Sequence, residues 1–476
     1  MPKLPTRTAN VAATADVANV AATADVAIIG GGFSGTALAI HLARAGGVRV
    51  VLFESRAVVG RGVAYSAEPW HRLNVRAAGM SIFPDQPNHF VEWARQRDPD
   101  VTPASFVRRV EYGAYVGKIF SEARAGNPEG ITVIGERATE LLRHGNGWVV
   151  TSRGARVQAA TLVLATGNGR PASPVFIGRA LAHPRYVADP WADGALGGLE
   201  PDGDVLILGT GLTMADVVLS LREYGHRGKI LALSRRGRLP ATHLTTMPNT
   251  PVPSGLDANR WVGASASGVG ALCRAIRQDV ATNAAAGVPW HVVLDQVRFA
   301  VPALWTALSS TERRRFLRHL RPWWDTHRHR LPPEVASVLG EQVTSGNLEI
   351  AAGRLLGCSV GEEMVVVDLC RRGSLDVETR HFSAVINATG TESRPEQDPL
   401  LAPLIAGGAL TADALGLPTD AARHPLNGSG VAIRSAYVLG PALRSTFWEA
   451  TAVPELSRHA AAVAAEILAG RGARDG

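Results

Sequence analysis

The chain has 476 residues, 46% of them hydrophobic and 19% charged, with a formal net charge of +7. That length suffices for two or three globular domains, and that composition excludes a disordered or fibrous chain. Its three cysteines, Cys273, Cys358 and Cys370, form no close pair, which excludes a Cys-x-x-Cys redox centre and points to a reducing compartment.

At the N-terminus, residues Ala9–Val17 recur unchanged as Ala18–Val26. The second copy runs into an apolar strand, so the first reads as a tandem duplication, and residues 1–23 are expected to be a disordered tail. The segment lacks the charged start and long apolar core of a signal peptide. No stretch reaches the length of a membrane span, and a cytoplasmic location without membrane contact is expected.

Val26–Ile29 is a short β-branched run of the kind buried in parallel sheets. It leads into Gly30-Gly-Gly32-Phe-Ser34-Gly35, a dinucleotide-binding fingerprint. Gly30 permits the tight turn, Gly32 lets a pyrophosphate approach the backbone, and Gly35 lets the helix pack on the strand. The helix runs from Ser34 to Ala45, and its first amides face the phosphate. A strand from Arg49 ends at Glu54, 24 residues after Gly30. An acidic residue there accepts hydrogen bonds from a ribose diol.

Two later segments, Thr161–Gly167 and Ala384–Gly390, are apolar strands that both end in Ala-Thr-Gly. In the first, Thr166 and Gly167 stand where backbone can approach a cofactor. Between the two lies a second fingerprint: strand Val205–Leu208, Gly209-Thr-Gly211, helix Leu212–Tyr224 and strand Lys229–Ser234. Met214 replaces the third glycine, which predicts a helix set slightly off the sheet. Arg235 and Arg236 stand where the first unit has Glu54. Guanidinium groups accommodate a 2′-phosphate, so NADPH is favoured over NADH. From Leu256 the pattern turns helical, with tryptophans at 261, 290, 305, 323 and 324. The predicted class is α/β: two Rossmann-like, three-layer dinucleotide-binding domains with a helical insertion. The FAD-binding domain is assigned to 24–190 and 383–476, the inserted NADPH-binding domain to 191–255 and 346–382, and the helical insertion to 256–345.

Further motifs carry a resemblance. They are Gly60–Tyr65 (GRGVAY), His71–Pro84, Trp324-Asp325, His327–Arg330 and Thr446–Glu455 (TFWEATAVPE). With the two fingerprints, these make the chain resemble bacterial FAD/NAD(P)-binding oxidoreductases related to the class B flavin monooxygenases, the N-hydroxylating and Baeyer–Villiger enzymes. The resemblance implies that His71, Asn74 and Met80 lie on a loop along the flavin. It also implies that Gly440-Pro441, with Trp448 to Thr451, brings a helix start near the flavin pyrimidine ring. A helix N-terminus there stabilises the anion of reduced flavin.

Among polar residues, Asn74, Asn249, His243 and Arg328 are candidates for the reaction site, and Arg328 with Arg330 suits an acidic substrate or the NADPH phosphate. His327 and His329 alternate with arginines and lack a matched carboxylate cluster, so no metal is expected. Nucleic acid is not an expected partner, because the chain has no Lys/Arg block, zinc spacing or aromatic RNA-binding motif. The expected function is reduction of FAD by NADPH followed by hydroxylation of a small molecule with O2. A reductase or dehydrogenase serving another acceptor is the alternative, and a non-catalytic flavoprotein the third reading.

Overall fold

The computed structural model describes residues 22–65, 68–169, 171–174, 177–178, 183–246, 253, 255–361, 363–391 and 394–475. The chain opens with β1 (Ala22–Ile29), α1 (Phe33–Ala45) and β2 (Val50–Phe53), followed by α2 (His89–Arg95) and α3 (Arg109–Gly126). Next come β3 (Ile131–Ile134), β4 (Glu140–His144), β5 (Gly147–Thr151) and β6 (Arg156–Leu164). These strands make one sheet in the order β3-β2-β1-β6-β5-β4. Strand β6 serves two neighbours in turn: Val157 and Ala159 face β5, while Leu162–Leu164 pair in parallel with β14 (Ala436–Val438) near the far end of the chain. The apolar runs at 26–29 and 50–53 are buried on both faces, as a central parallel sheet requires. One face packs on α1, α3 and α13 (Val453–Asp475), through Leu38, Leu42, Val116, Val463 and their neighbours.

The second sheet is built from residues that lie between β6 and β14 in the chain. Its strands are β7 (Tyr186–Val187), β8 (Val205–Leu208), β9 (Ile230–Ser234), β10 (Leu348–Val360), β11 (Val365–Arg371), β12 (Glu378–Phe382) and β13 (Ala384–Asn387). Their order is β12-β11-β10-β9-β8-β13-β7. Helix α4 (Leu212–Glu223) follows β8 and covers one face. Both β7 and β13 pair within this sheet, β13 with β8 and β7. The crossovers between sheets therefore lie before residue 186 and after residue 387, outside the boundaries at 190 and 383 that the sequence suggested. The apolar strand at 384–387 was assigned to the first domain, but backbone pairing with β8 claims it for the second.

Between β9 and β10 the chain forms α5 (Ala258–Ala266), α6 (Val269–Ala285), α7 (Trp290–Ala307), α8 (Ser310–Arg315), α9 (Arg321–Arg328) and α10 (Pro333–Thr344). Trp261, Val293, Val297 and Leu304 form their own small core. The last helix departs from the expected insertion: Val335 and Leu339 of α10 pack with α4 in the core of the second sheet. Helix α8 is capped by Ser309, whose side chain accepts the Glu312 amide at 3.2 Å. The final elements are α11 (Ala402–Ala406), α12 (Arg444–Phe447) and α13. Among the described residues, no helix is long and apolar enough to cross a membrane.

Candidate active site

The two fingerprints fold into matching turns. Gly30 has φ +103° and Gly209 φ +118°, a region that side chains other than glycine rarely adopt. A Cβ on Gly30 would lie 2.3 Å from the Ala165 carbonyl, and one on Gly209 would lie 2.3 Å from the Ala388 carbonyl. Those carbonyls belong to the two Ala-Thr-Gly segments. Each segment thus ends its strand against the first glycine of one turn, and no larger residue fits between them. The helix after each turn starts at a glycine N-cap, Gly32 or Gly211, with no side-chain cap. Its first amides are left for another acceptor.

Around the first turn, Glu54 is half-buried and its Oε2 accepts the Gly31 amide at 3.0 Å, while Oε1 accepts the Arg56 amide at 2.8 Å. Gly31 received no role from the sequence, yet a Cβ there would lie 2.7 Å from the Glu54 Cβ. Thr36, also missed, donates its hydroxyl to the Gly31 carbonyl at 3.0 Å. The Gly60-Arg-Gly62 segment closes over the turn: the Gly60 amide donates to the Gly31 carbonyl at 2.8 Å, and Gly62 faces Gly32. Gly440 lies beside Ser34, whose Oγ would be 3.3 Å from an added Cβ. Thr166 is half-buried and Gly167 exposed at the end of β6.

At the second turn, the Thr210 hydroxyl contacts Ser234 Oγ at 2.9 Å and the Arg238 carbonyl at 2.6 Å. This fixes the 234–238 turn against the glycines. Arg235 is exposed and Arg236 half-buried, and neither has a carboxylate partner among the described residues. The neighbouring Arg238 is occupied, with its guanidinium 3.3 Å from the Trp323 ring centroid. Met214, at the third glycine position, is fully buried in the second core.

Several other candidates fall elsewhere than expected. His71 is buried against α4, with Nε2 3.2 Å from the Asp216 carbonyl and 2.9 Å from Ser220 Oγ, so it ties the two domains together. The Met80 side chain is 1% exposed and fills the first core. The loop around it is held to the start of α13, where Ser457 donates to the Ser81 carbonyl at 2.9 Å. Trp448, at φ +56°, turns into the helical region and stacks on Trp305 with centroids 4.9 Å apart. Thr451 is exposed just before α13. Arg328 is not available to a substrate or phosphate: its side chain is 10% exposed and pairs with Glu449 at 3.2 Å. Arg330 is likewise buried, in a two-pronged pair with Asp295. A buried guanidinium needs a carboxylate close by, and the fold supplies one to each. Asn249 lies outside the described residues.

Asn74 is half-buried; its carbonyl accepts His243 Nε2 at 3.0 Å, while its carboxamide has no partner among the described residues. His243 thereby joins the Asn74 loop to the second domain. Burial, with Arg330 nearby, pushes its pKa down to about 4, so it is a neutral donor and not an acid–base group at neutral pH. His459, buried and accepting from Arg423 Nε at 2.7 Å, is pushed down to about 3. Both are near 6.5 in an unfolded chain. The unfolded state therefore takes up these protons first as pH falls. Their contribution is fully present above about pH 6.5 and is lost progressively toward pH 4 for His243 and pH 3 for His459. Each contributes roughly 3–5 kcal/mol. The melting temperature is expected to fall steadily from pH 7 to pH 4, and His459→Gln to flatten that slope. An unchanged slope in the variant would refute the assignment.

Residues 27–169 match a family model described as FAD-NAD(P)-binding. No protein of curated function matches the chain significantly. Among solved structures, it is similar to ornithine hydroxylase from Pseudomonas aeruginosa, with 17% identity, a TM-score of 0.62 and coverage of 94% of this chain and 98% of that one. It is similar to L-lysine 6-monooxygenase from Pseudomonas syringae, with 17% identity, a TM-score of 0.65 and coverage of 94% and 99%. A bacillithiol disulfide reductase from Staphylococcus aureus aligns at 15% identity with a TM-score of 0.55, covering 94% and 99%. At these identities the likeness is one of fold: the chain has the two-sheet α/β fold of these enzymes, and the family-model match lies in its residues 27–169.

Proposed function

We propose that the protein is an FAD-dependent oxidoreductase that uses NADPH to reduce its flavin and, with O2, hydroxylates a small molecule. The observation that carries this reading is the pair of matching glycine turns, one with the Glu54 carboxylate beside it and the other with two arginines that have no carboxylate partner among the described residues. The first suits a ribose diol and the second a 2′-phosphate, so one chain offers separate sites for FAD and NADPH. The uncapped start of α1 would hold the FAD pyrophosphate, with Gly32 open to it and Gly440 beside Ser34. The uncapped start of α4 would hold the NADPH pyrophosphate. Thr166 and Gly167 would approach the flavin from the end of β6. Bound FAD supplies two-electron transfer from NADPH and activation of O2. The protein's part is to bind, orient and exclude water. The Asn74 carboxamide would hydrogen-bond at that junction, its loop held by neutral His243.

Two observations favour hydroxylation over electron delivery to a disulfide. The TM-scores are higher with the ornithine and lysine hydroxylases than with the disulfide reductase. The three cysteines are also all free: Cys273 is on α6, and Cys358 and Cys370 face different residues across β10 and β11. The test is a visible spectrum of the purified protein followed by addition of NADPH with and without air. Yellow protein that NADPH bleaches anaerobically, and that reoxidises in air with oxygenated product from an amine substrate, is the expected result. Efficient anaerobic turnover with a dye, and peroxide released stoichiometrically with every substrate tried, would refute oxygenation.

A further inference from the structure

Helix α9 touches both halves of the molecule through adjacent residues. Trp323 lies under Arg238, in the turn that Thr210 fixes against the second pair of glycines. The Ala241 amide donates to the Thr326 carbonyl at 2.8 Å, which roots the helix in the second domain. Trp324 reaches the other way: its Nε1 donates to Glu449 Oε1 at 3.0 Å, between α12 and α13 of the first domain. Glu449 is buried, and Arg328, one turn further along α9, places Nη2 3.2 Å from its Oε2. Neither of those two atoms has a hydrogen-bond partner among the described residues, so charge alone joins them. Burial opposes ionisation of Glu449, but neighbouring charges, Arg328 first among them, outweigh it and hold its pKa below the ordinary carboxylate value.

Glu449 closes a turn that does not hold itself. Trp448 has φ +56° and ψ −58°, and the Glu449 amide donates across it to the Phe447 carbonyl at 2.6 Å. This is the rare, strained form of the three-residue turn, and a tryptophan keeps it only where the surroundings impose it. The helical insertion supplies those surroundings. Trp305 of α7 stacks on the Trp448 ring and donates its Nε1 to the Ser445 carbonyl at 2.9 Å. Arg298, also of α7, grips Glu455 in the first turn of α13 with hydrogen bonds of 2.8 and 2.7 Å. That turn of α13 backs the loop that carries Asn74: Pro454 lies against Gly79, and Ser457 donates to the Ser81 carbonyl. We propose that α9 is a strut between the two nucleotide sites, and that Glu449 is the positioning residue at its first-domain end. It holds the start of α13, and through it the Asn74 loop, at the junction of the two domains. The proposal rests on the FAD and NADPH reading above.

Glu449→Gln is the first variant, because the amide keeps the bond from Trp324 and removes only the charge that faces Arg328. The second adds Arg328→Met, which leaves no unpaired buried charge and should restore most of the melting temperature that the single change costs. At saturating NADPH, anaerobic bleaching of bound FAD should slow about tenfold in both variants, as a misplaced reacting group does. The NADPH KM and the affinity of the apoprotein for FAD should stay near the wild-type values. The circular-dichroism couplet of the stacked Trp305–Trp448 pair should shrink in both variants, with or without FAD, as the released turn relaxes. Bleaching that recovers with the melting temperature in the double variant would make Glu449 a stability residue only and overturn the proposal. An intact tryptophan couplet, or a loss confined to the NADPH KM, would overturn it too. If Glu449→Gln alone is insoluble, the double variant carries the comparison. Wild-type protein that takes up no FAD or is never bleached overturns the cofactor reading and this proposal with it. Variants bleached as fast as an NADPH-reducible wild type overturn this proposal alone.

Discussion

Gly211→Val is expected to give a folded, yellow protein that NADPH no longer bleaches. Its chain neighbours aside, none of the described residues lies within 4 Å of a Cβ added at Gly211, and its φ of −90° is open to any residue. The valine therefore meets only what approaches the start of α4 from outside. If that is the NADPH pyrophosphate, the rate of anaerobic bleaching should fall by about 100-fold or more, equivalent to about 2.7 kcal/mol. FAD content and melting temperature should stay at the wild-type values. Gly32→Val is the counterpart. Among the described residues beyond its chain neighbours, its added Cβ has only the Gly62 Cα within 4 Å, at 3.8 Å. It should yield folded but colourless protein, with a melting temperature lowered by loss of the bound cofactor.

The other fingerprint glycines behave differently, and this makes the comparison decisive. A Cβ on Gly35 would lie 2.0 Å from the Gly30 carbonyl, and those on Gly30 and Gly209 would meet the Ala165 and Ala388 carbonyls. Valine at any of these three forces backbone apart and should abolish soluble expression. A Gly211→Val protein bleached by NADPH at the wild-type rate would remove the second turn from the electron path. Loss of colour in Gly211→Val would instead show that the two turns do not serve separate nucleotides.

Both βαβ units were legible because their signals are local. Short β-branched runs, glycines at positive φ and a helix within fifteen residues need no distant partner to be recognised. The paired Ala-Thr-Gly segments were legible as domain crossings, but not their sides. Whether 384–387 joins the first sheet or the second depends on which strand edge is free, here that of β8. The misread residues share one property, a partner far away in the chain. Arg328 pairs with Glu449 and Arg330 with Asp295, so both guanidinium groups are spent inside the protein. The pattern His-Arg-His-Arg gives no hint of either carboxylate. His71 was assigned to the flavin loop, and its contact with Ser220 emerges only when α4 is docked. Gly31 escaped notice for the same reason, since its constraint is the Glu54 side chain across the turn. Trp448 reads with the cofactor motif, and its stacking partner, Trp305, belongs to a helix 143 residues earlier.

Replacing both Arg235 and Arg236 by alanine should move the nucleotide preference from NADPH towards NADH. The 234–238 turn is braced by Thr210, so removing two outward side chains leaves its backbone in place. Neither arginine spends its charge on a carboxylate among the described residues, whereas Arg238 is stacked on Trp323. A hydrogen bond to a charged group is worth about 1.5–3 kcal/mol, so each arginine lost should cost about 10-fold or more in kcat/KM for NADPH. NADH lacks the 2′-phosphate and should be affected little. The preference ratio should therefore shift by 100-fold or so if both arginines contact the phosphate. The NADPH KM of the wild type should also rise with salt more steeply than that of the variant. Arg238→Ala is the control: its side chain packs against Trp323 and does not project freely, so it should weaken both nucleotides alike or lower stability. A double variant with the parent's preference ratio would mean that the phosphate is bound elsewhere, and the place of these arginines at the position equivalent to Glu54 would then have no bearing on nucleotide choice.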